Sequence, residues 1–141
     1  RKIISWKKLG IISRNKKFMS IDNTKATLLL PQGLKGPKFL AYSNYNIYLK
    51  WNDSFIYTVT AAHLASRFSG QKKFLSNKPE KILSIEKMIK LQNILQSNGY
   101  NVGKVDGILG RQTRQSVRSI QIQLGLPADS WPTDDLLNIL N

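Results

Sequence analysis

Cysteine is absent from the 141 residues, which excludes disulfides, cysteine zinc sites and thiol chemistry. Histidine occurs once, as His63. A lone imidazole on a helix is far more often packed or exposed than a ligand, so no metal and no cofactor are expected. Long apolar runs are missing too. LLL at 28–30 and the stretch around 54–65 fall well short of the roughly 20 residues of a membrane span, and the chain reads as soluble. Acidic residues are scarce, with Asp+Glu 8 against Lys+Arg 22 and a net charge of +14. The imbalance is uneven: residues 1–80 carry 15 basic and 3 acidic side chains, residues 81–141 carry 7 and 5. Such a field attracts polyanions of any kind, nucleic acid, an anionic lipid surface or an acidic wall polymer. It is equally the mark of a lysine-rich, solvated surface, and the lysines are scattered without a tight basic stripe. No initiator Met is present and Arg1 opens straight into patterned sequence. The chain is therefore expected to be a piece of a longer one, with any targeting segment outside it.

What is present divides in two. FSGQKKFLSNKPEK (68–81) is polar, basic and broken by Gly70 and Pro79, which places a linker over residues 71–83 between a segment 1–70 and a segment 84–141. In the second segment Ser84 can cap a helix with Ile85, Met88, Ile89 and Leu95 at helical spacing, closed by Gly99. A second helix begins near Arg111, puts Thr113, Val117, Ile120 and Leu124 on one face and stops at Gly125. A third begins at Thr133, with Asp134 and Asp135 in its first turn and Leu136, Leu137 and Leu140 on its buried side.

Between the first two helices lies GYNVGKVDGILGRQT (99–113), where four glycines and Asp106 shape the backbone. A Rossmann-type phosphate loop is disfavoured, because no strand pattern precedes the glycines and the spacing is not G-x-G-x-x-G. The pattern Gly99-Tyr100, Asp106, Thr113 returns more loosely as Gly125-Leu126, Asp129, Thr133, a repeated helix-turn unit. Leu91-Gln92, Gly99-Tyr100, Val105-Asp106-Gly107, Gly110, Thr113, Gln121 and Gly125-Leu126 together resemble the small peptidoglycan-binding module of the D-G-x-x-G-x-x-T type. Ser130 stands where that family usually has glycine after its second aspartate, which puts that turn's geometry in question. For Asp106 and Thr113 two roles stay open: building a turn and capping a helix, or shaping the edge of a shallow groove for wall muropeptide. The resemblance implies that the loop residues Tyr100, Asp106, Gly107, Gly110 and Thr113 carry the binding surface.

In the first segment KATLLLP (25–31) fits a short strand ended by Pro31. QGLKGPKFL (32–40) fits a loop, and DSFIYTVTAAHLASRF (53–68) a helix capped by Asp53 or Ser54 and ended by Gly70. Tyr42, Tyr45, Tyr48, Trp51 and Tyr57 crowd together beside Asn44, Asn46 and Asn52. Rings beside amides suit a sugar, whose apolar face needs cover and whose hydroxyls need partners; an aromatic core with polar rims is the alternative. Trp6 to Ile11, Pro31 to Phe39, Asn44-Tyr45, Trp51 to Ser54, and Tyr57, Val59, Leu64-Ala65 and Arg67 are similar to the C-terminal part of the catalytic domain of the membrane-bound lytic murein transglycosylase B family. Tyr45 replaces a usual Phe, Trp51 a usual Tyr, and Ser66 a usual Asp.

These resemblances imply a mainly α chain: the C-terminal fragment of a lysozyme-like transglycosylase catalytic domain, then a small three-helix peptidoglycan-binding domain. They imply non-hydrolytic cleavage between N-acetylmuramic acid and N-acetylglucosamine. One glutamic acid protonates the leaving oxygen and the sugar's own primary hydroxyl closes an anhydro ring, where ordinary glycosidases pair two carboxylates. Tyr45, Trp51, Asn52 and Tyr57 carry over as substrate-binding cleft walls. The family's acid sits in an E-S context, whereas the only glutamates here are Glu80 and Glu86; no catalytic residue is expected in this chain, and it is expected to be inactive alone. Peptidoglycan is the expected partner, with nucleic acid not expected and a membrane only through an anchor outside the chain. The expected location is the periplasm or cell envelope. Two alternatives remain: a non-catalytic wall-binding relative and, on charge alone, a basic nucleic-acid-binding protein.

Overall fold

The computed structural model describes residues 1–12, 23–74 and 78–141. Among them the order is α1 (Ile3–Lys8), β1 (Thr27–Leu29), β2 (Phe39–Ala41), α2 (Tyr45–Trp51), α3 (Phe55–Phe68), α4 (Ile85–Ser97), α5 (Arg111–Gln123) and α6 (Asp134–Leu140). The chain is mainly α, and no described helix is long and apolar enough to cross a membrane.

In the first half the strand expected around 25–31 forms, and it pairs antiparallel with β2 in the register Thr27↔Ala41, Leu28↔Leu40, Leu29↔Phe39. The second strand and α2 were not expected from a stretch so rich in Tyr and Asn. Their formation is tertiary: α2 packs against α3, where propensity alone would leave a seven-residue helix marginal. Ser54, one of the two expected caps, accepts from the Tyr57 amide at 3.4 Å and starts α3. Its neighbour Asn52 closes α2 and takes the Ser54 amide on its side chain at 2.8 Å. His63 packs between rings, its centroid 4.8 Å from Phe74 and 5.7 Å from Phe39.

The second half has one core. Met88, Leu91 and Leu95 of α4, Val117 and Ile120 of α5, and Leu136 and Leu137 of α6 meet there, joined by Val102, Leu109 and Trp131 from the loops. Ser84 and Thr133 cap α4 and α6 through their hydroxyls. Two expected core positions move outward: Ile85 is exposed, and Leu124 lies at the rim. Leu91 and Gln92 take the buried face of α4 instead. Leu83, at the end of the segment read as a linker, is buried with this cluster.

Candidate functional site

The glycine loop is built from one side chain. Gln92 has no exposed surface. Its amide nitrogen donates to the carbonyls of Lys104 (3.3 Å) and Ile108 (3.1 Å) and to the Thr113 hydroxyl (3.2 Å). Its amide oxygen accepts from the backbone of Asp106 (3.1 Å) and Gly107 (2.9 Å). A loop has no ladder of its own to satisfy these groups, and Gln92 supplies it. Asp106 closes the turn by accepting from the Ile108 amide at 2.9 Å. Gly107 has φ +76, and a Cβ there would lie 2.7 Å from Ile85 Cγ2, so the position excludes a side chain on conformation and on space.

The loop residues singled out in the sequence separate. Asp106, Gly110 and Thr113 line a cavity of about 570 Å³ with Asp53, Lys104 and Arg111. Gly107 faces α4, and Tyr100 packs on the core with its hydroxyl donating to Gln123 Oε1 at 2.6 Å. Thr113 does not cap a helix: it lies inside α5, buried, and donates to the Val102 carbonyl at 3.1 Å. The cap is Gly110, whose φ of −78 is ordinary extended backbone.

The second aspartate turn repeats the device. Gln121 donates to Asp129 Oδ1 (2.9 Å) and to the Trp131 carbonyl (3.2 Å), and accepts from the Ser130 amide (3.0 Å). The turn therefore keeps its shape without the family's glycine, at the cost of holding Ser130 at φ +63. An L-residue other than Gly, Asn or Asp is strained there. Ser130→Gly is expected to raise stability by about 0.5–1 kcal/mol in denaturant unfolding.

This turn docks onto the first half. The other Asp129 oxygen accepts from the Leu34 amide at 2.8 Å. Gly33 has φ +69 and approaches so closely that a Cβ would lie 2.7 Å from Trp131 Cβ. Arg114 is only 8 % exposed. It donates to the Pro31 carbonyl at 3.0 Å and sits 5.0 Å from the Phe55 ring and 5.6 Å from the Trp131 ring. Burial pushes its guanidinium down to about 10, with Asp129 opposing the shift; it remains charged at neutral pH. Beside it, Arg111 pairs with Asp53 at 2.8 Å.

Between the halves opens a second cavity, of about 790 Å³, bounded by β1, Tyr42, Tyr45 and Asn46 on one side and by Arg111, Arg114 and Arg118 on the other. The sequence showed no tight basic stripe, yet positions 111, 114 and 118 fall on one face of α5 by their i, i+3, i+7 spacing. That spacing was the available signal.

The candidate sugar-contacting residues also separate. Tyr45 turns inward, lining this cleft and a smaller cavity of about 360 Å³ with Tyr48 and His63. Burial pushes its phenol up. Trp51 is 86 % exposed, and Asn52 and Tyr57 are exposed near it at the α2–α3 junction; all three lie outside the cavities described. The glutamates lie elsewhere. Glu80 pairs with Lys35. Glu86, in the first turn of α4, has its carboxyl held below the usual range by its own backbone N–H and by Ser84.

Residues 1–66 match the transglycosylase SLT domain family, and residues 84–140 the peptidoglycan binding domain family. In chain order its two segments are similar to a transglycosylase SLT domain and a peptidoglycan binding domain. The crystal structure of SltB3 from Pseudomonas aeruginosa in complex with NAG-anhNAM-pentapeptide superposes with a TM-score of 0.71 at 34% identity, over 99% of this chain and 38% of that one. The SltB3 complex with NAG-NAM-pentapeptide gives 0.72 at 33% identity, over 100% and 39%. A spore cortex-lytic enzyme of Bacillus cereus is 46% identical over 44 residues, 31% of this chain and 17% of the relative. The chain thus spans well under half the length of the proteins it matches. The likeness to SltB3 extends over both segments of the chain at once.

Proposed function

We propose that this chain is part of a lytic murein transglycosylase that cleaves the bond between N-acetylmuramic acid and N-acetylglucosamine with an anhydro product, and that it holds the enzyme on the peptidoglycan. Residues 1–70 then belong to the catalytic domain, 71–83 to the connection and 84–141 to the wall-binding domain. The observation that carries this reading is the order of the two domains, shared with SltB3 across 99% of the chain. The peptide-bearing sugars in the SltB3 complexes support peptidoglycan as partner and the cell envelope, on the periplasmic side, as location.

Within this reading Tyr45, Trp51, Asn52 and Tyr57 contact the glycan in the complete enzyme. The exposure of Trp51 favours a stacking surface over a core role. In the wall-binding domain Asp106, Gly110 and Thr113 shape the loop groove, while Tyr100 and Gly107 support it from behind.

The chain itself lacks the acid for cleavage. A glycosidic proton donor needs a raised pKa, and the environment of Glu86 shifts it the other way. Glu80 is taken up in an ion pair with Lys35. Purified sacculi incubated with the 141-residue chain should therefore yield no anhydromuropeptide by mass spectrometry, while the chain itself appears in the wall pellet. Anhydromuropeptide release would assign a proton donor to this chain and overturn that expectation.

A further inference from the structure

We propose that the cleft between the two halves, faced by Arg111, Arg114 and Arg118 of α5 and by Lys25, is a carboxylate-binding subsite for the peptide portion of a wall fragment. This rests on the wall-binding reading above and adds to it a place for the peptide.

The cleft concentrates positive charge that its own acids do not neutralise. Asp129 also lines it, but its carboxylate accepts from Gln121, from the Trp131 amide at 2.9 Å and from the Leu34 amide. Asp53 is held by Arg111. Arg118 and Lys25 are exposed to the cleft and have no carboxylate partner among the described residues. Arg114 adds the second, independent observation. Its side chain is more than nine-tenths buried, with Nε and Nη1 lacking any hydrogen-bond partner among the described residues. The Pro31 carbonyl, the Phe55 and Trp131 rings and the field of Asp129 offset only part of the cost of taking this guanidinium out of water. An anion entering the adjoining cleft would offset part of that cost through its field. Arg114 supplies field; Arg118 and Lys25, with free donors, supply the contacts.

The other walls suit a peptide. Tyr42 and Asn46 offer polar groups, and Leu28 and Leu29 apolar ones. A peptide brings main-chain donors and acceptors, small side chains and at least its C-terminal carboxylate. The cleft lies between two packed halves at about 790 Å³, room for a few residues. A nucleic-acid duplex needs an open basic stripe to follow its phosphates, and here Arg114 is buried and Arg111 is paired with Asp53, which breaks such a stripe.

The test is calorimetric titration of the intact chain with NAG-NAM-pentapeptide and with the same disaccharide lacking the peptide. Wild type is compared with the double variant Lys25→Gln/Arg118→Gln, whose two sites are solvent-exposed and should leave the melting curve unchanged. Wild type should bind the peptide-bearing fragment more tightly, and the double variant should lose about ten-fold of that affinity. The difference should also shrink with added salt. Equal affinity of wild type and variant overturns the subsite, as does failure of wild type to distinguish the two fragments. So does a short oligonucleotide that binds with the same Lys25 and Arg118 dependence while the pentapeptide fragment does not. Sacculi sedimentation separates the two levels: if the chain still pellets with the wall, only the subsite is lost, and if it does not, the wall-binding reading falls with it.

Discussion

Gln92→Leu is expected to destabilise the wall-binding half by about 3–5 kcal/mol, the largest effect of any single substitution considered. Leucine fills a similar volume and makes no hydrogen bond. The amides of Asp106 and Gly107 and the carbonyls of Lys104 and Ile108 then lose the partner that Gln92 gives them. Each such group left unpaired inside a protein costs about 1–3 kcal/mol. Water reaching part of the loop reduces the sum, so the total falls below four full penalties. For a unit of this size the melting temperature should drop by about 15 °C or more. The parallel variant is Gln121→Leu, which should do the same to the second turn and, through Asp129, loosen the docking. A loss below about 1 kcal/mol for Gln92→Leu would mean that the glycine loop holds itself.

Gly33→Ala is expected to separate the halves while leaving each folded. The new methyl would stand 2.7 Å from Trp131 Cβ and 2.9 Å from Asp129 Oδ2, on a backbone with φ +69. Trp131 belongs to the core of the second half and has little freedom to yield. Left-handed strain adds about 1 kcal/mol, and the collision makes about 2–4 kcal/mol in all a reasonable loss of docking energy. Hydrogen exchange reads this locally. The Leu34 amide, bonded to Asp129 across the junction, should lose protection, whereas the Gly107 amide, bonded to Gln92, should keep it. Retained protection at Leu34 would show that the loop accommodates the methyl without undocking.

Legibility in the sequence followed the range of the interactions. Ser84, Gly99, Gly125 and Thr133 could be read because caps and stops act within one turn of their own residue. Gln92 and Gln121 entered only as family signature positions. Their role depends on loop partners the nearest of which lie 12 and 8 residues away, and a polar residue on a helix ordinarily signals the solvent face. The candidate sugar-contacting aromatics of the first half face two ways for a geometric reason. Tyr45 and Trp51 are six residues apart on α2, about 240° around a helix, so one turns into the cleft while the other faces solvent. Charge counting found the excess of basic residues but not where it acts. The lysines that dominate the count are scattered, while the three arginines of α5 lie in the half with the more balanced charge.

The central claim is that the chain binds peptidoglycan through a folded site and not merely through its net charge of +14. Co-sedimentation with purified sacculi, measured as a function of salt and repeated with Gln92→Leu above its melting temperature, tests this directly. Charge attraction alone is largely screened at about 0.5 M salt, where the Debye length falls to a few ångströms, and it does not require the fold. The expected result is that most of the wild-type chain stays in the wall pellet at that salt, while the unfolded variant, with identical charge, stays in the supernatant. Equal pelleting of folded and unfolded chains, lost together as salt rises, would contradict the account.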